Sequence, residues 1–216
     1  MTDHTSATST RGTVHLVEDD DSARDATARF LRAAGFEVRS FVSAEDFLAS
    51  RPAPTSGCVV LDLNLPGSSG LDLQEVLASS ADPLPVVFLT GQGGVPDSVK
   101  AMKSGAVDFL TKTTDGEVLL EAIERALARD AEGRRARTQV RSAQERFDRL
   151  TAREREVFAH LISGQLNKQV GFDLGISERT IKIHRHHVLE KLEADSIADL
   201  VRIAAVLGVS PEGKVR

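Results

Sequence analysis

Between Thr13 and Leu127 the chain repeats one pattern five times: a short apolar run, then a stretch with helical spacing. The runs lie near 13–17, 37–41, 57–62, 85–90 and 107–111. The helical stretches fill 22–34, 43–50, 69–79, 96–104 and 117–127. Five such units predict an α/β fold, a parallel sheet with helices on both faces. Right-handed crossovers limit the topologies, and the flavodoxin-like doubly wound order 2-1-3-4-5 has its switch point between the first and third strands. In such a sheet all strand C-termini emerge at one edge, and ligands bind in the crevice there. Four polar residues close four of the runs: Asp19, Asp62, Thr90 and Lys112. The topology therefore gathers residues that are far apart in the chain.

Two carboxylates, a hydroxyl and an ammonium in one cleft suit a divalent cation and a phosphoryl group. Magnesium takes hard oxygen ligands in near-octahedral geometry and keeps several waters. Asp19 and Asp62 supply two oxygens, the backbone carbonyl of Asn64 supplies a third, and Glu18 reaches a metal-bound water. A carboxylate can act as a nucleophile and form an aspartyl-phosphate. Each residue alone has a plainer reading. Acidic residues over 18–21 complement the dipole of the helix that follows. Asp62 alone reads as a turn residue and Lys112 as a surface lysine. Their joint occurrence at strand ends favours the shared pocket.

The rest of the composition narrows the class. The net charge of −5 is uneven: residues 1–127 are acidic, 128–150 are Arg-rich, and the remainder is near neutral with four of the six histidines. The single cysteine, Cys58, excludes a disulfide framework and fits a reducing compartment. No run approaches the length of a membrane span, and residues 1–10 read as a polar, disordered tail without a signal core. A cytoplasmic protein without a membrane partner is expected.

After about residue 127 the pattern changes. Residues 128–148 read as a charged helical linker, with Gly133 interrupting it and Val140 and Phe147 as a weak pairing seam. Residues 149–210 read as all-helical. Thr151 with Glu154 forms a capping box for a helix to about Ser163. A short helix over 167–174 ends at Gly175, Ser177 caps a helix over 178–192, and a fourth runs 196–207 to Gly208. Two helices joined by a turn with Gly and a capping Ser read as a helix-turn-helix. On helix 178–192, Ile181, Val188 and Leu192 form an inward stripe with His184 between them, while Arg179, Lys182, Arg185 and His186 point out. Such a helix fits the major groove of double-stranded DNA. The histidine trio 184, 186 and 187 lacks the cysteine partners of a metal site.

HLVEDD, LDLNLPGSSGLDL, FLTGQG and GAVDFLTK resemble the receiver domain of two-component response regulators over about residues 11–127. The resemblance implies that Asp62 is the phosphoacceptor and that Glu18 and Asp19 are the acidic pair holding magnesium. It further implies that Thr90 and Phe109 move together on phosphorylation and that Lys112 binds the phosphoryl group. LTAREREVFAHLISGQLNKQVGFDLGISERTIKIHRHHVLEKL resembles the LuxR-type DNA-binding domain, and the whole arrangement resembles the FixJ-type subgroup of NarL/FixJ regulators. By that analogy Thr180 and Lys182 hold the DNA backbone, while Lys182, Ile183 and His186 face bases. Asn167 and Lys168, at the start of the scaffold helix, meet a phosphate, with Arg179 and Arg185 as further contacts.

Three positions depart from the family pattern. Thr113 stands where Pro usually follows the lysine, so either a reshaped loop between the fifth strand and fifth helix or retained strain is expected, and this bears on the placement of Lys112 and on the phosphorylation rate. Gly94 stands where Asp is frequent, which should loosen that loop. Gly171 replaces an Ala and should cost about 1 kcal/mol of helix stability.

The implied protein is a transcriptional regulator, not an enzyme. A sensor histidine kinase phosphorylates Asp62, the receivers form a homodimer, and the dimer binds an operator, with RNA polymerase as a further candidate partner. The alternative is a phosphorylation-independent DNA-binding regulator with a receiver-like dimerisation module. A haloacid-dehalogenase-type phosphatase ranks third, because Asn64 stands where such enzymes need a second Asp.

Overall fold

A computed structural model describes residues 11–51 and 55–210; the expected N-terminal tail lies outside the described residues. The chain divides into two compact units, residues 1–133 and 134–216. In the first, strands β1 (Thr13–Val17), β2 (Glu37–Phe41), β3 (Cys58–Leu61), β4 (Val86–Thr90) and β5 (Asp108–Thr111) alternate with helices α1 (Asp21–Ala33), α2 (Ala44–Ser50), α3 (Gly70–Ala78) and α4 (Val95–Lys103), and α5 (Gly116–Asp148) follows β5. The sheet is parallel throughout, in the order β2-β1-β3-β4-β5. This is the expected doubly wound topology.

Alternation along the strands builds two cores. Val14, Leu16, Cys58, Val60, Val87 and Leu89 face Leu31 of α1 and Ala122, Ile123 and Ala126 of α5. Val17, Val59, Leu61, Val86 and Phe88 face Phe47, Leu73, Leu77 and Ala101 of α2, α3 and α4. The inner strands β1, β3 and β4 read as nearly continuous apolar runs because both sheet faces are covered there, whereas the edge strand β2 is largely polar and exposed. Helix starts are set by side-chain caps. Asp20 accepts from the Ala23 amide at 2.7 Å, and Ser69 and Asp72 cap each other's backbone at α3. Gly70 opens α3 directly on the end of β3. A Cβ there would lie 2.3 Å from the Asp62 carbonyl oxygen, so only glycine lets the helix begin so close.

The expected end of the fifth helix near 127 is not found. One helix runs from Gly116 to Asp148, and Gly133 lies inside it. Ala, Arg, Glu and Gln dominate this stretch, and their summed propensity exceeds the roughly 1 kcal/mol that one glycine costs. Its last turns join the second unit's core: Ala143 is buried and Phe147 packs its ring on Phe158 at 5.3 Å, whereas Val140 stays exposed. Around them sit α6 (Ala152–Ile162), α7 (Asn167–Leu174), α8 (Glu178–Leu192) and α9 (Ile197–Leu207). Thr151, Ser177 and Ser196 cap α6, α8 and α9, and Gly175 and Gly208 end α7 and α9 in the left-handed conformation. Val157, Phe158, Leu161, Val170, Ile181, Val188, Leu192 and Leu200 fill the interior.

Candidate functional site

At the C-terminal edge of the sheet, the ends of β1, β3 and β5 bring three charged side chains together. Lys112 Nζ lies 2.7 Å from Glu18 Oε2 and 2.8 Å from Asp62 Oδ2. Glu18 and Asp62 are buried, 3% and 6% exposed, while Asp19 is exposed. Carboxylate oxygens of Glu18, Asp19 and Asp62 all lie within 4.8 Å of one another, which is close enough to hold one divalent cation with hard oxygen donors. Burial pushes the Glu18 carboxyl above its usual range, and the Asp62 charge adds to this against the opposing Lys112 contact. Burial alone would lower the Lys112 ammonium, but hydrogen bonds to Asp62 and Glu18 outweigh it and raise the group.

Thr113 does not keep Lys112 from this edge. The chain turns after β5 through a Thr114 N–H to Thr111 carbonyl bond of 2.9 Å, with the Thr111 hydroxyl 2.9 Å from that of Thr113. Gly94 cannot cap α4 with a side chain; instead Asp97 Oδ2 accepts from the Gly94 amide at 3.1 Å and fixes the helix start.

Thr90, at the end of β4, is fully buried. Its hydroxyl donates to the Gln92 carbonyl at 2.9 Å, not to a group on the acidic cluster. Phe109 packs its half-buried ring on Phe88 with centroids 5.6 Å apart. Asn64 donates its backbone N–H to Asp62 Oδ1 at 3.3 Å. Reading the sequence missed Arg24, whose guanidinium donates to the carbonyls of Glu18 at 2.9 Å and Asp19 at 3.2 Å and pairs with Asp21. The Asp21–Arg24 spacing was its only signal.

In the second unit α7 and α8 form the helix-turn-helix. Arg179, Lys182, Ile183 and His186 are exposed on α8, and Lys168 is exposed at the start of α7. Thr180 is half-buried, with its hydroxyl 2.8 Å from that of the capping Ser177. Lys182 pairs with Glu178 at 3.2 Å. Arg185 is half-buried rather than free, and donates to Asn167 Oδ1 at 3.4 Å, which links the two helices. His184 is half-buried, with Nδ1 enclosed and unpaired. A second link was not foreseen. Lys191, near the end of α8, donates to both oxygens of buried Glu154 at 2.9 and 2.7 Å, while the Thr151 hydroxyl donates at 3.0 Å. Burial would raise the Glu154 carboxyl, but these bonds dominate and hold it at about 2.

Two family profiles match the chain: the response regulator receiver domain over residues 14–124 and the luxR family of bacterial regulatory proteins over residues 148–204. Among similar proteins, nodulation protein W of Bradyrhizobium diazoefficiens is 44% identical over 207 residues, covering 96% of this chain and 91% of the relative. The transcriptional regulatory protein FixJ of Rhizobium meliloti is 39% identical, covering 92% and 98%.

The chain is a NarL/FixJ-family response regulator.

Solved structures agree. The response regulator StyR superposes with a TM-score of 0.81 at 44% identity, covering 90% of this regulator and 98% of StyR. Full-length FixJ from B. japonicum gives 0.56 at 36% identity, covering 91% and 97%. The regulator therefore pairs a receiver that carries a candidate phosphorylation and metal site with a LuxR-type DNA-binding domain. The architecture implies a cognate histidine kinase and a DNA operator as partners, and the family is one of regulators rather than enzymes. No helix among the described residues is long and apolar enough to cross a membrane.

Proposed function

We propose that the regulator is switched by transfer of a phosphoryl group to Asp62 from a histidine of its kinase. An Asp62 carboxylate oxygen forms a bond to phosphorus as the phosphorus–nitrogen bond breaks, and the histidine imidazole leaves and takes up a proton. The observation that carries this reading is Lys112 at 2.8 Å from Asp62 within the three-carboxylate cluster. Asp62 lies nearly buried beside the ammonium, and Lys112 moves its charge onto the incoming oxygens. Glu18, Asp19, Asp62 and the Asn64 carbonyl would hold the cation, which we take as magnesium. When bound it would offset negative charge on the phosphoryl oxygens.

The Thr90 hydroxyl is the second phosphoryl contact, and Thr90 with Phe109 forms the switch. The moved region presents a face for dimerisation. Val95, Val99 and Met102 on α4 support this, being 77%, 45% and 47% exposed. The dimer places two α8 helices on one operator. Arg179, Lys182, Ile183, Arg185 and His186 meet bases or phosphates there, and Thr180, Asn167 and Lys168 hold the backbone. RNA polymerase is a further partner at the promoter. We place the regulator in the cytoplasm, with a receiver over 11–127, a helical linker over 128–148 and a DNA-binding domain over 149–210.

Intact mass after incubation with acetyl phosphate and magnesium tests the core of this. The expected result is one added phosphoryl group on the wild type and none on Asp62→Asn. No addition to the wild type, repeated with a kinase donor, would instead favour a phosphorylation-independent regulator.

A further inference from the structure

The main-chain carbonyl of Gln92 accepts hydrogen bonds from the end of β4 and from the loop that follows β3. The Thr90 hydroxyl donates to it at 2.9 Å and the Asn64 side-chain amide at 3.1 Å. A hydroxyl has one proton to give. While that proton rests on Gln92, Thr90 cannot donate it to an oxygen on Asp62. Engagement of Thr90 therefore requires the Gln92 carbonyl to be released. Asn64 stands at the other end of the same arrangement, with its backbone N–H on Asp62 Oδ1 at 3.3 Å. One residue thus touches Asp62 through its main chain and the loop between β4 and α4 through its side chain.

The next residue shows what that loop covers. A Cβ built on Gly93 would lie 2.7 Å from Phe109 Cζ and 3.0 Å from Thr90 Cγ2. The loop lies directly on both residues assigned to the switch. Whatever fixes Gln92 also fixes the cover over Thr90 and Phe109.

We infer that the Asn64 side-chain amide is a latch, holding the β4–α4 loop in the arrangement that occupies the Thr90 hydroxyl. This deepens the proposed switching at Asp62 and rests on it. Asn64 acts here as a positioning residue, through Gln92. Removing its amide takes one hydrogen bond from the resting arrangement alone, so the loop leaves more often. The usual net worth of a neutral hydrogen bond corresponds to roughly a three- to tenfold change in that equilibrium.

The test is hydrogen exchange by mass spectrometry on the full chain, without a phosphoryl donor. Peptides over residues 90–95 report the loop, where the Gln92 amide bonds Thr90 Oγ1 and the Gly94 amide bonds Asp97. Peptides over α1 are the internal reference. Asn64→Ala is expected to speed exchange over 90–95 by roughly three- to tenfold and leave α1 unchanged. Asn64→Gln keeps an amide donor and should return the rate toward wild type. Exchange in Asn64→Ala equal to wild type would overturn the latch. So would equal acceleration by Ala and Gln, because the loop would then answer to something other than the amide. Sedimentation of the phosphorylated wild type runs alongside. A monomer there counts against the dimerisation reading and leaves the exchange result standing.

Discussion

Glu18 and Asp62 are withdrawn from water with one ammonium between them, so Lys112 carries most of the local charge compensation. Replacing it by Gln removes the charge and leaves a polar side chain one atom shorter. Lys112→Gln is expected to slow phosphorylation by acetyl phosphate roughly a hundredfold, in line with losing one preorganised electrostatic contact; a mass time course would read this, and an unchanged rate would remove Lys112 from the chemistry. Gly171 concerns stability instead. Helix propensity alone says that Gly171→Ala gains about 1 kcal/mol. The structure reverses that expectation. The new Cβ would stand 2.8 Å from the Ile176 carbonyl oxygen, in the turn that α7 packs against, so α7 or the turn must shift. The variant should melt at or below the wild-type temperature, and a clear rise in Tm would contradict the close approach. The four strand-end residues were legible because side-chain type and strand position are both written in the sequence. The Gln92 carbonyl was not, since a main-chain acceptor leaves no mark on residue identity.

Among the elements, α8 is fixed to α6 by one carboxylate. Glu154 serves the capping box of α6 and takes both hydrogen bonds from Lys191. Its carboxyl sits at about 2 in the fold against an ordinary 4.5. A depressed carboxyl stabilises the fold fully above about pH 4.5, and the contribution fades as the pH falls toward 2. The shift corresponds to about 3 kcal/mol. Glu154→Gln should therefore unfold more easily than wild type at neutral pH, with the gap closing near pH 2; acid titration by circular dichroism compares the two. A gap independent of pH would mean that packing, not charge, holds the contact. On α4, Val95→Glu and Met102→Glu should abolish dimerisation after phosphorylation while leaving the phosphoryl uptake of Asp62 intact. Sedimentation velocity separates these outcomes, and a persisting dimer would move the interface elsewhere. Helix periods and caps made nine of the element positions readable from sequence. The length of α5 was hidden, because Gly133 carries a breaker's identity while its neighbours decide the outcome.

Across the whole molecule, opposite demands are met by separate cores. The acidic first unit concentrates carboxylates at one sheet edge, and the second exposes Arg179, Lys182 and His186 on α8. Charge-reversing Lys182→Glu should weaken operator binding at least tenfold and flatten its salt dependence, without altering phosphorylation. Binding measured against salt concentration decides it, and an unaltered slope would place Lys182 away from the phosphates. Two-unit chains seldom unfold in one step, and this one has no Trp or Tyr to follow by fluorescence. Cys58 supplies what is missing. It is the chain's single cysteine, fully buried on β3 between β1 and β4, with burial pushing its thiol up to about 12. A thiol-reactive dye can reach it only when the sheet opens. Labelling kinetics would thus clock the opening of the phosphoacceptor unit alone, and a slower clock after acetyl phosphate would measure, in free energy, how firmly the modified state grips its own sheet.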